Sequence, residues 1–265
     1  MAEKKSTTPT PSKWEITDSR FVAFLDLLGF KDKVMRKKHS EIYNELSKLS
    51  QIKDYIQEIE AIKIHPKFQD CDVSIISFSD SIVVFSKNDT FESFEYFLIA
   101  LRAIFSNSIR EKIALKGGIS HGEISINKIE QIYFGQPIID AYLMEEDVNY
   151  LGVVAHSSID TFIAENKKSY TNSIVCQKLL FEEKAFLKSG KITHLNLDWF
   201  ILTQRDHDRI SPEQKIENIL NNLDLFYSTV SGNPRRYIDN TKEILQIANK
   251  QNKINLETLK KTDIK

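Results

Sequence analysis

The chain has 265 residues, and its 36 Lys and Arg against 37 Asp and Glu give a formal net charge of −1. This balance excludes the basic excess of proteins that wrap duplex DNA or lie on acidic membranes, so we expect neither nucleic acid nor membrane as a partner. A hydrophobic share of 41% is enough for a core and excludes disorder of the whole chain.

The polar residues 1–13 predict a disordered tail. They contain no apolar signal region, which favours a cytoplasmic protein. The two cysteines, Cys71 and Cys176, form neither a metal-ligand pattern nor a disulfide framework.

The first elements in chain order are a strand, a helix and a hairpin. The apolar run Arg20–Gly29 predicts a buried central strand. Val73–Phe78 and Ser81–Phe85 are β-rich and separated by two residues, which predicts a tight hairpin. Between them, apolar residues at helical spacing predict one long helix that also contains the basic residues 36–38 on a solvated face. The apolar positions of this helix are Ile42, Leu46, Leu49, Ile52, Ile56 and Ile59.

The next elements repeat that order. Apolar positions from Phe94 to Phe105 predict a second helix, and the runs 113–121 and 123–126 predict a second hairpin, broken at Gly117 and Gly118. A helix over 138–144 and a strand over 151–155 follow. This order predicts an α+β fold with a central, mostly antiparallel sheet and helices on one face, covering residues 18–165.

The remaining residues predict a C-terminal α/β extension packed on that core. Its strands are predicted at Tyr170–Val175 and Ile192–Leu197. Ser211 followed by Pro212 is typical of a helix start, and a last helix follows Pro234. We expect the extension to cover residues 166–250 and a frayed tail to cover 251–265.

Two acidic residues stand out because of where they lie. Asp26 interrupts an apolar strand, where a charge costs several kcal/mol unless it is paired or bound to a metal. Asp80 lies in the hairpin turn, where Asp is most often a simple turn residue. If the hairpin lies beside the first strand, both carboxylates reach one end of the sheet and form a site for Mg²⁺ or Mn²⁺ carrying a polyphosphate.

The residues that follow Asp26 are suited to phosphate. They lead from a strand into a helix start, where exposed backbone N–H groups favour anions. Gly29 lets the backbone come close to a ligand, and Lys31 adds a positive charge, although a lysine there is more often a surface residue.

These segments resemble class III nucleotidyl cyclases. Phe24–Phe30, FLDLLGF, resembles that family's first metal-binding segment, F-x-D-I-x-G-F, and Phe78–Ser81 falls where the family has its Gly-Asp hairpin. Residues 116–123, 135–141 and 153–159 resemble three later segments of the family, in the same order. The resemblance implies a ferredoxin-like catalytic core over residues 18–165.

The resemblance also implies a site and an assembly. Asp26, Asp80 and the carbonyl of Leu27 would bind two divalent ions, Mn²⁺ or Mg²⁺. The amides of Leu28, Gly29, Phe30 and Lys31 would hold the triphosphate of a nucleoside triphosphate substrate. In this family the ribose 3′-hydroxyl, activated by one ion, attacks the α-phosphorus and expels pyrophosphate, while the other ion holds the β- and γ-phosphates. Its sites form between two protomers, which implies a homodimer.

Four positions depart from the family pattern. The Lys and Asp that read a purine fall at Ile76 and Ile132, and the transition-state Asn and Arg fall at Ile139 and Leu143. Apolar residues make none of these contacts, which argues against an ordinary adenylate or guanylate cyclase.

The chain resembles most a subgroup, the pyrimidine cyclases of bacterial Pycsar antiphage defence. The shared segments include Asp140-Ala141-Tyr142 and Arg235-Arg236-Tyr237. The resemblance implies cyclic UMP made from UTP, or cyclic CMP from CTP, as a second messenger for a separate effector. We favour UTP. Arg235 and Arg236, near a turn with Gly232 and Pro234, are the first candidates for the missing catalytic cation, ahead of Arg102 and Lys116.

Two other readings stay open. Ile139 and Leu143 favour a catalytically inactive cyclase-like domain that binds only a nucleotide or a partner. A relative of the diguanylate cyclases is disfavoured, since the sequence contains no G-G-[DE]-E-F run.

Overall fold

The computed structural model describes residues 13–57, 65–200 and 212–262. Its strands are β1 (Thr17–Leu27), β2 (Val73–Phe78), β3 (Ser81–Ser86), β4 (Leu115–Asn127), β5 (Ile132–Phe134), β6 (Val153–Ala155), β7 (Leu180–Leu187) and β8 (Gly190–Leu197). Its helices are α1 (Phe30–Arg36), α2 (His39–Gln57), α3 (Phe91–Arg110), α4 (Gln136–Asp147), α5 (Ser157–Glu165), α6 (Lys167–Asn172), α7 (Ile174–Leu179), α8 (Pro212–Thr229) and α9 (Asn233–Thr262), with a 3₁₀ turn at Pro66–Phe68. None of the described helices is both long and apolar enough to cross a membrane.

The described strands form one sheet in the order β2-β3-β1-β4-β6-β8-β7, and β5 pairs with β4. Strand β1 is central and pairs antiparallel with β3 and β4. Of the described pairings only that of β4 with β6 is parallel. The predicted α+β fold with a central, mostly antiparallel sheet is therefore confirmed.

Helices cover both faces of this sheet, so the prediction of helices on one face is wrong. Phe21 of β1 packs on Phe94 of α3, with ring centroids 4.8 Å apart. Val22, which points to the other face, belongs to a smaller cluster with Ala141 of α4. Helix α4 lies close to the sheet at Gly118, where an added Cβ would be 2.4 Å from the Ala141 carbonyl oxygen. Sequence periodicity does not report which face of a sheet a helix covers.

The predicted first helix is divided in two. Lys37 has extended backbone and ends α1, and α2 begins at His39. The buried residues Ile42 and Leu49 belong to α2, whereas α1 buries no side chain. The helical spacing of buried apolar residues therefore does not continue into α1. The basic residues 36–38 are exposed, as expected. Ile52 and Ile56 fall within α2, and Ile59 lies outside the described residues.

The predicted second hairpin is also wrong, because its two runs form the single strand β4. Gly117 and Gly118 do not break the strand; they let neighbours come close. An added Cβ at Gly117 would be 2.8 Å from the carbonyl oxygen of Phe24 on β1. The hairpin partner of β4 is β5, whose residues 132–134 pair with 125–127.

Two differences concern the C-terminal residues. Residues 170–175, predicted as a strand, lie in α6 and α7, where Ser173 caps α7 by accepting from the Cys176 amide. Strand β7 was not predicted, whereas the run 192–197 lies in β8 as expected.

The last helix extends beyond residue 250, and the frayed tail over 251–265 stays a prediction. Helix α9 continues to Thr262, through most of the stretch 251–265 for which a frayed tail is predicted. That stretch contains neither Gly nor Pro to end a helix. Helix α8 begins at Pro212, and Ser211 and residues 1–12 lie outside the described residues. Strand β8 joins the sheet by pairing with β6, while the division into 18–165 and 166–250 stays a prediction.

Candidate active site

Asp26 and Asp80 lie at the same end of the sheet. Asp26 pairs in register with Ser81, the first residue of β3, so the β2–β3 turn lies beside the end of β1. The amide of Leu27 donates to the Asp80 carbonyl oxygen at 2.9 Å, which fixes the turn against the strand. The structure thus brings these two residues together.

The β2–β3 turn is shaped by Ser79. Its φ of 56° lies in the left-handed region, which glycine adopts more easily than any other residue. A serine therefore occupies a backbone conformation that favours Gly. Phe78, beside it, is 84% exposed.

A buried ion pair adjoins Asp26. Lys116 is its register partner on β4, so both side chains point to the face that α4 covers. The Lys116 Nζ lies 2.5 Å from a carboxylate oxygen of Glu145 and donates to the Glu145 carbonyl at 2.7 Å. Both residues are buried, and Glu145 belongs to α4.

Sequence reasoning missed Glu145. The buried residues of α4 are Pro137, Ala141 and Glu145, spaced four apart on one face of the helix. Glu145 is a charged residue on the buried face of a helix, just as Asp26 is a charged residue in a buried strand. The sequence therefore contained the information needed to recognise Glu145.

The electrostatics of this cluster disfavour the charge of Asp26. Burial, followed by the charges of Glu145 and Asp80, raises the pKa of Asp26 to about 7, against weaker opposite effects of Lys116 and Lys188. Burial also raises the pKa of Glu145, in spite of its pairing with Lys116. Negative charge is concentrated where water solvates it poorly, which is an arrangement that a bound cation stabilises.

The oxygen donors at this end of the sheet fit Mg²⁺ or Mn²⁺. Two carboxylates with nearby backbone carbonyls are the hard ligands that such ions prefer. Within residues 13–57, 65–200 and 212–262 no group of three or more His, Cys, Asp or Glu side chains is arranged to hold a metal ion. Further ligands would come from backbone, water or phosphate oxygens, as is usual for Mg²⁺.

One member of the predicted phosphate-binding segment is already engaged. The amide of Leu28 donates to the Ala114 carbonyl at 3.0 Å, so the prediction that it holds phosphate needs correction. Gly29 has a φ of 74° and precedes α1, with open space beside it. The first amides of α1, at Phe30 and Lys31, have no acceptor within the helix.

The predicted arginines lie at the start of α9, and their catalytic role stays a prediction. Arg235 is exposed, donates to the Val230 carbonyl at 2.9 Å and stacks over the Tyr227 ring at 4.6 Å. Arg236 is exposed on the same turn. Neither is among the charges that shift the pKa of Asp26. Burial lowers the pKa of Arg102 to about 10, against the opposite effect of the Asp198 charge.

Among known proteins, the chain is similar to solved structures but matches no family profile and no curated protein. Among solved structures, it is similar to a bacterial light-regulated adenylyl cyclase, with a TM-score of 0.46 and 13% identity over 69% of this chain and 91% of that one.

Two further solved structures are similar at comparable levels. For a monomeric guanylyl cyclase domain from the aquatic fungus Blastocladiella emersonii the TM-score is 0.42, with 12% identity over 66% of this chain and 96% of that one. For an adenylate/guanylate cyclase/hydrolase from Silicibacter pomeroyi it is 0.38, with 15% identity over 68% and 98%. At these scores the likenesses assign no function to this chain.

Proposed function

We propose that this protein is a metal-dependent nucleotidyl cyclase that makes cyclic UMP from UTP, or cyclic CMP from CTP, and releases pyrophosphate. One observation carries the proposal: Asp26 and Asp80 lie at one end of the sheet, in segments that resemble the family's two metal-binding segments, with the turn at Gly29 three residues after Asp26. The resemblance to the Pycsar enzymes supports a role in antiphage defence, with the product acting on a separate effector.

Asp26, Asp80 and the Leu27 carbonyl would hold two divalent ions, Mn²⁺ or Mg²⁺. When bound, such ions lower the pKa of a coordinated hydroxyl and neutralise phosphate charge. The amides after Gly29 would bind the triphosphate and hold the ribose 3′-hydroxyl in line with the α-phosphorus.

The charges of Lys116 and Lys188 act on both Asp26 and Glu145, and Lys116 pairs with Glu145 directly. We therefore assign to them, rather than to Arg235 and Arg236, the stabilisation of the transferring phosphate. Glu145 engages Lys116 twice, which leaves one of the three ammonium hydrogens for a substrate.

Apolar residues support a pyrimidine substrate and a homodimer. Ile76 and Ile132 stand where the resembled family contacts a purine, and neither side chain forms hydrogen bonds. Ile139 and Leu143 are each more than half exposed on α4, and Tyr142 between them is 39% exposed. A second copy of the chain would cover this surface.

The test is to incubate the protein with each nucleoside triphosphate and Mn²⁺ and to identify products by mass. We expect cyclic UMP, or cyclic CMP, and pyrophosphate. Asp26→Ala and Asp80→Ala should each abolish product while circular dichroism stays unchanged, and Glu165→Ala, at an exposed carboxylate that ends α5, is the control. No cyclic product from any of the four nucleotides would overturn the proposal.

A second candidate is an inactive cyclase-like domain that binds a nucleotide or a partner. The observation that favours it is the exposed apolar pair Ile139 and Leu143 at the positions of the family's transition-state residues. Nucleotide binding with no pyrophosphate released, under the conditions above, would support this alternative.

A further inference from the structure

Residues of four neighbouring strands form one row across the end of the sheet that carries Asp26. Phe78 of β2 is the register partner of Ser81 on β3, and Ser81 is the register partner of Asp26 on β1. Asp26 in turn is opposite Lys116 on β4. Because directly opposed residues of antiparallel strands turn their side chains to the same face, all four side chains point to the face on which α4 lies.

The neighbours of Phe78 along β2 lead to the same face. Ile76 lies two positions earlier on this strand, so its side chain shares a face with that of Phe78. Ile76 packs against the smaller hydrophobic cluster, which contains Val22 of β1 and Ala141 of α4. Phe78 therefore continues the apolar positions of β2 up to the turn that carries Asp80.

The ring of Phe78 is left largely uncovered. It is 84% exposed, whereas Phe24, on the same face, packs edge-on against Tyr142 of α4 with ring centroids 5.3 Å apart. A single exposed apolar residue is common on protein surfaces. What singles out Phe78 is its place in the row, since an open aromatic ring lies beside the two carboxylates of the candidate site.

The row spaces its groups as a nucleotide requires. Neighbouring strands lie about 4.8 Å apart, so Phe78, two strands away from Asp26, is about 10 Å from it along the row. Lys116 lies on the opposite side of Asp26. The ribose of a nucleoside triphosphate separates the base from the phosphates, so phosphates held at Asp26 and Lys116 leave the base on the side of Phe78.

We propose that Phe78 is a substrate-contacting residue and that its ring stacks on the base of the nucleoside triphosphate. This inference rests on the proposed function. Stacking suits this position, because every base has an aromatic face and a phenyl ring forms no hydrogen bond that would select one base. Phe78 then contributes affinity for the base, while the choice between uracil and cytosine rests on other residues.

The test compares Phe78→Ala with Phe78→Tyr and with Tyr43→Ala. Phe78→Tyr keeps an aromatic ring at this position, and Tyr43 is an aromatic residue on α2 that is 66% exposed. The measurement is calorimetric titration, in Mn²⁺, with UTP carrying a methylene group between the α- and β-phosphorus, which cannot release pyrophosphate. CTP and its analogue replace UTP if cyclic CMP is the product. Inorganic triphosphate, which has no base, is the second ligand.

We expect Phe78→Ala to bind the nucleotide analogue about tenfold more weakly, the usual loss when a stacked base loses its aromatic partner. Binding of inorganic triphosphate should stay as in the wild type, because this ligand does not reach Phe78. KM should rise by a similar factor, more than kcat falls, and the melting temperature should stay unchanged. Phe78→Tyr and Tyr43→Ala should behave as wild type.

Equal binding of the nucleotide analogue by Phe78→Ala and wild type would overturn the role of Phe78 and leave the cyclase intact. Equal losses for the analogue and for inorganic triphosphate, or a dimer that dissociates in analytical ultracentrifugation, would assign Phe78 to the fold or to the assembly and also overturn it. A wild-type protein that binds no nucleotide would overturn both proposals.

Discussion

Asp26 is an ionisable residue whose surroundings oppose its charge. An Asp in the unfolded chain ionises near pH 4, whereas the pKa of Asp26 in the folded protein is about 7. The folded state therefore holds its proton more tightly than the unfolded state does between these values. The free energy of unfolding falls as pH rises from about 4 to about 7 and is then unaffected by this group.

We predict that Asp26→Asn removes this pH dependence. The gain in the free energy of unfolding at pH 8 should be about 1–2 kcal/mol, below the full value of such a shift because the side chain is partly exposed. Urea unfolding of the metal-free protein at pH 5 and pH 8 measures it. A wild-type stability that rises over this interval, with no change in the variant, would contradict the prediction.

The left-handed backbone of Ser79 gives a second prediction at the scale of one residue. A non-glycine residue in this region costs about 1–2 kcal/mol, part of which glycine loses again through its greater freedom in the unfolded chain. Ser79→Gly should therefore stabilise the protein by about 0.5–1 kcal/mol in thermal unfolding. Ser81→Gly, in extended strand next to the turn, is the control and should destabilise it.

The sequence predicts those site residues that carry a charge at a position expected to be buried. Asp26 stands out in an apolar strand, and Glu145 stands out in the same way once the buried face of α4 is drawn. The contact of Arg235 with the Val230 carbonyl was not predictable, since the direction in which a helix faces depends on its docking. The engagement of the Leu28 amide was not predictable either, because its acceptor, Ala114, is distant in the sequence.

At the scale of elements, the contact between β4 and α4 depends on a missing side chain. An added Cβ at Gly118 would be 2.6 Å from the Met144 Cβ and 2.4 Å from the Ala141 carbonyl oxygen. Neither atom belongs to the flexible end of a side chain, so α4 would have to move away from the sheet, and Glu145 would move with it.

We predict that Gly118→Ala lowers the free energy of unfolding by about 1–3 kcal/mol, the usual cost of overpacking. Cyclase activity should fall more steeply than stability, because the pairing of Glu145 with Lys116 would be disturbed. Chemical denaturation and product formation are the two measurements. Ser125→Ala, on the same strand, adds no volume and should change both little.

The secondary-structure predictions are confirmed where the local sequence pattern and the tertiary packing favour the same structure. Strand β1 and the β2–β3 hairpin are marked by apolar runs and a two-residue gap, and α3 is marked by its spacing. Residues 170–175 are rich in β-forming types, but the cap at Ser173 and packing against α3 make them helical. The sequence pattern does not distinguish a glycine that ends a strand from a glycine within a strand, such as Gly117, that allows close approach of a neighbouring strand.

At the scale of the whole molecule, apolar side chains are exposed on α4 on the face turned away from the sheet. Ile139 and Leu143 lie one turn apart there. On the proposed homodimer they would be buried by the partner, and a charge among them would disfavour association.

We predict that Leu143→Glu converts the proposed homodimer to a monomer in analytical ultracentrifugation and abolishes the proposed cyclase activity, since such sites would form between protomers. Ile174→Glu is the matched control, because Ile174 is 70% exposed on α7. A wild-type protein that is monomeric at all concentrations and still active would contradict the prediction.

The central position of β1 also determines how the chain can fold. Its partners come late in the sequence, since Thr17 pairs with Ser125 and Asp26 with Ser81. Such non-local pairings make folding slow, because long loops must close before the strands stabilise one another. On the ribosome, β1 emerges long before β4, and its apolar residues stay open to aggregation until then. Refolding yield should therefore decrease with protein concentration even when the native state is stable.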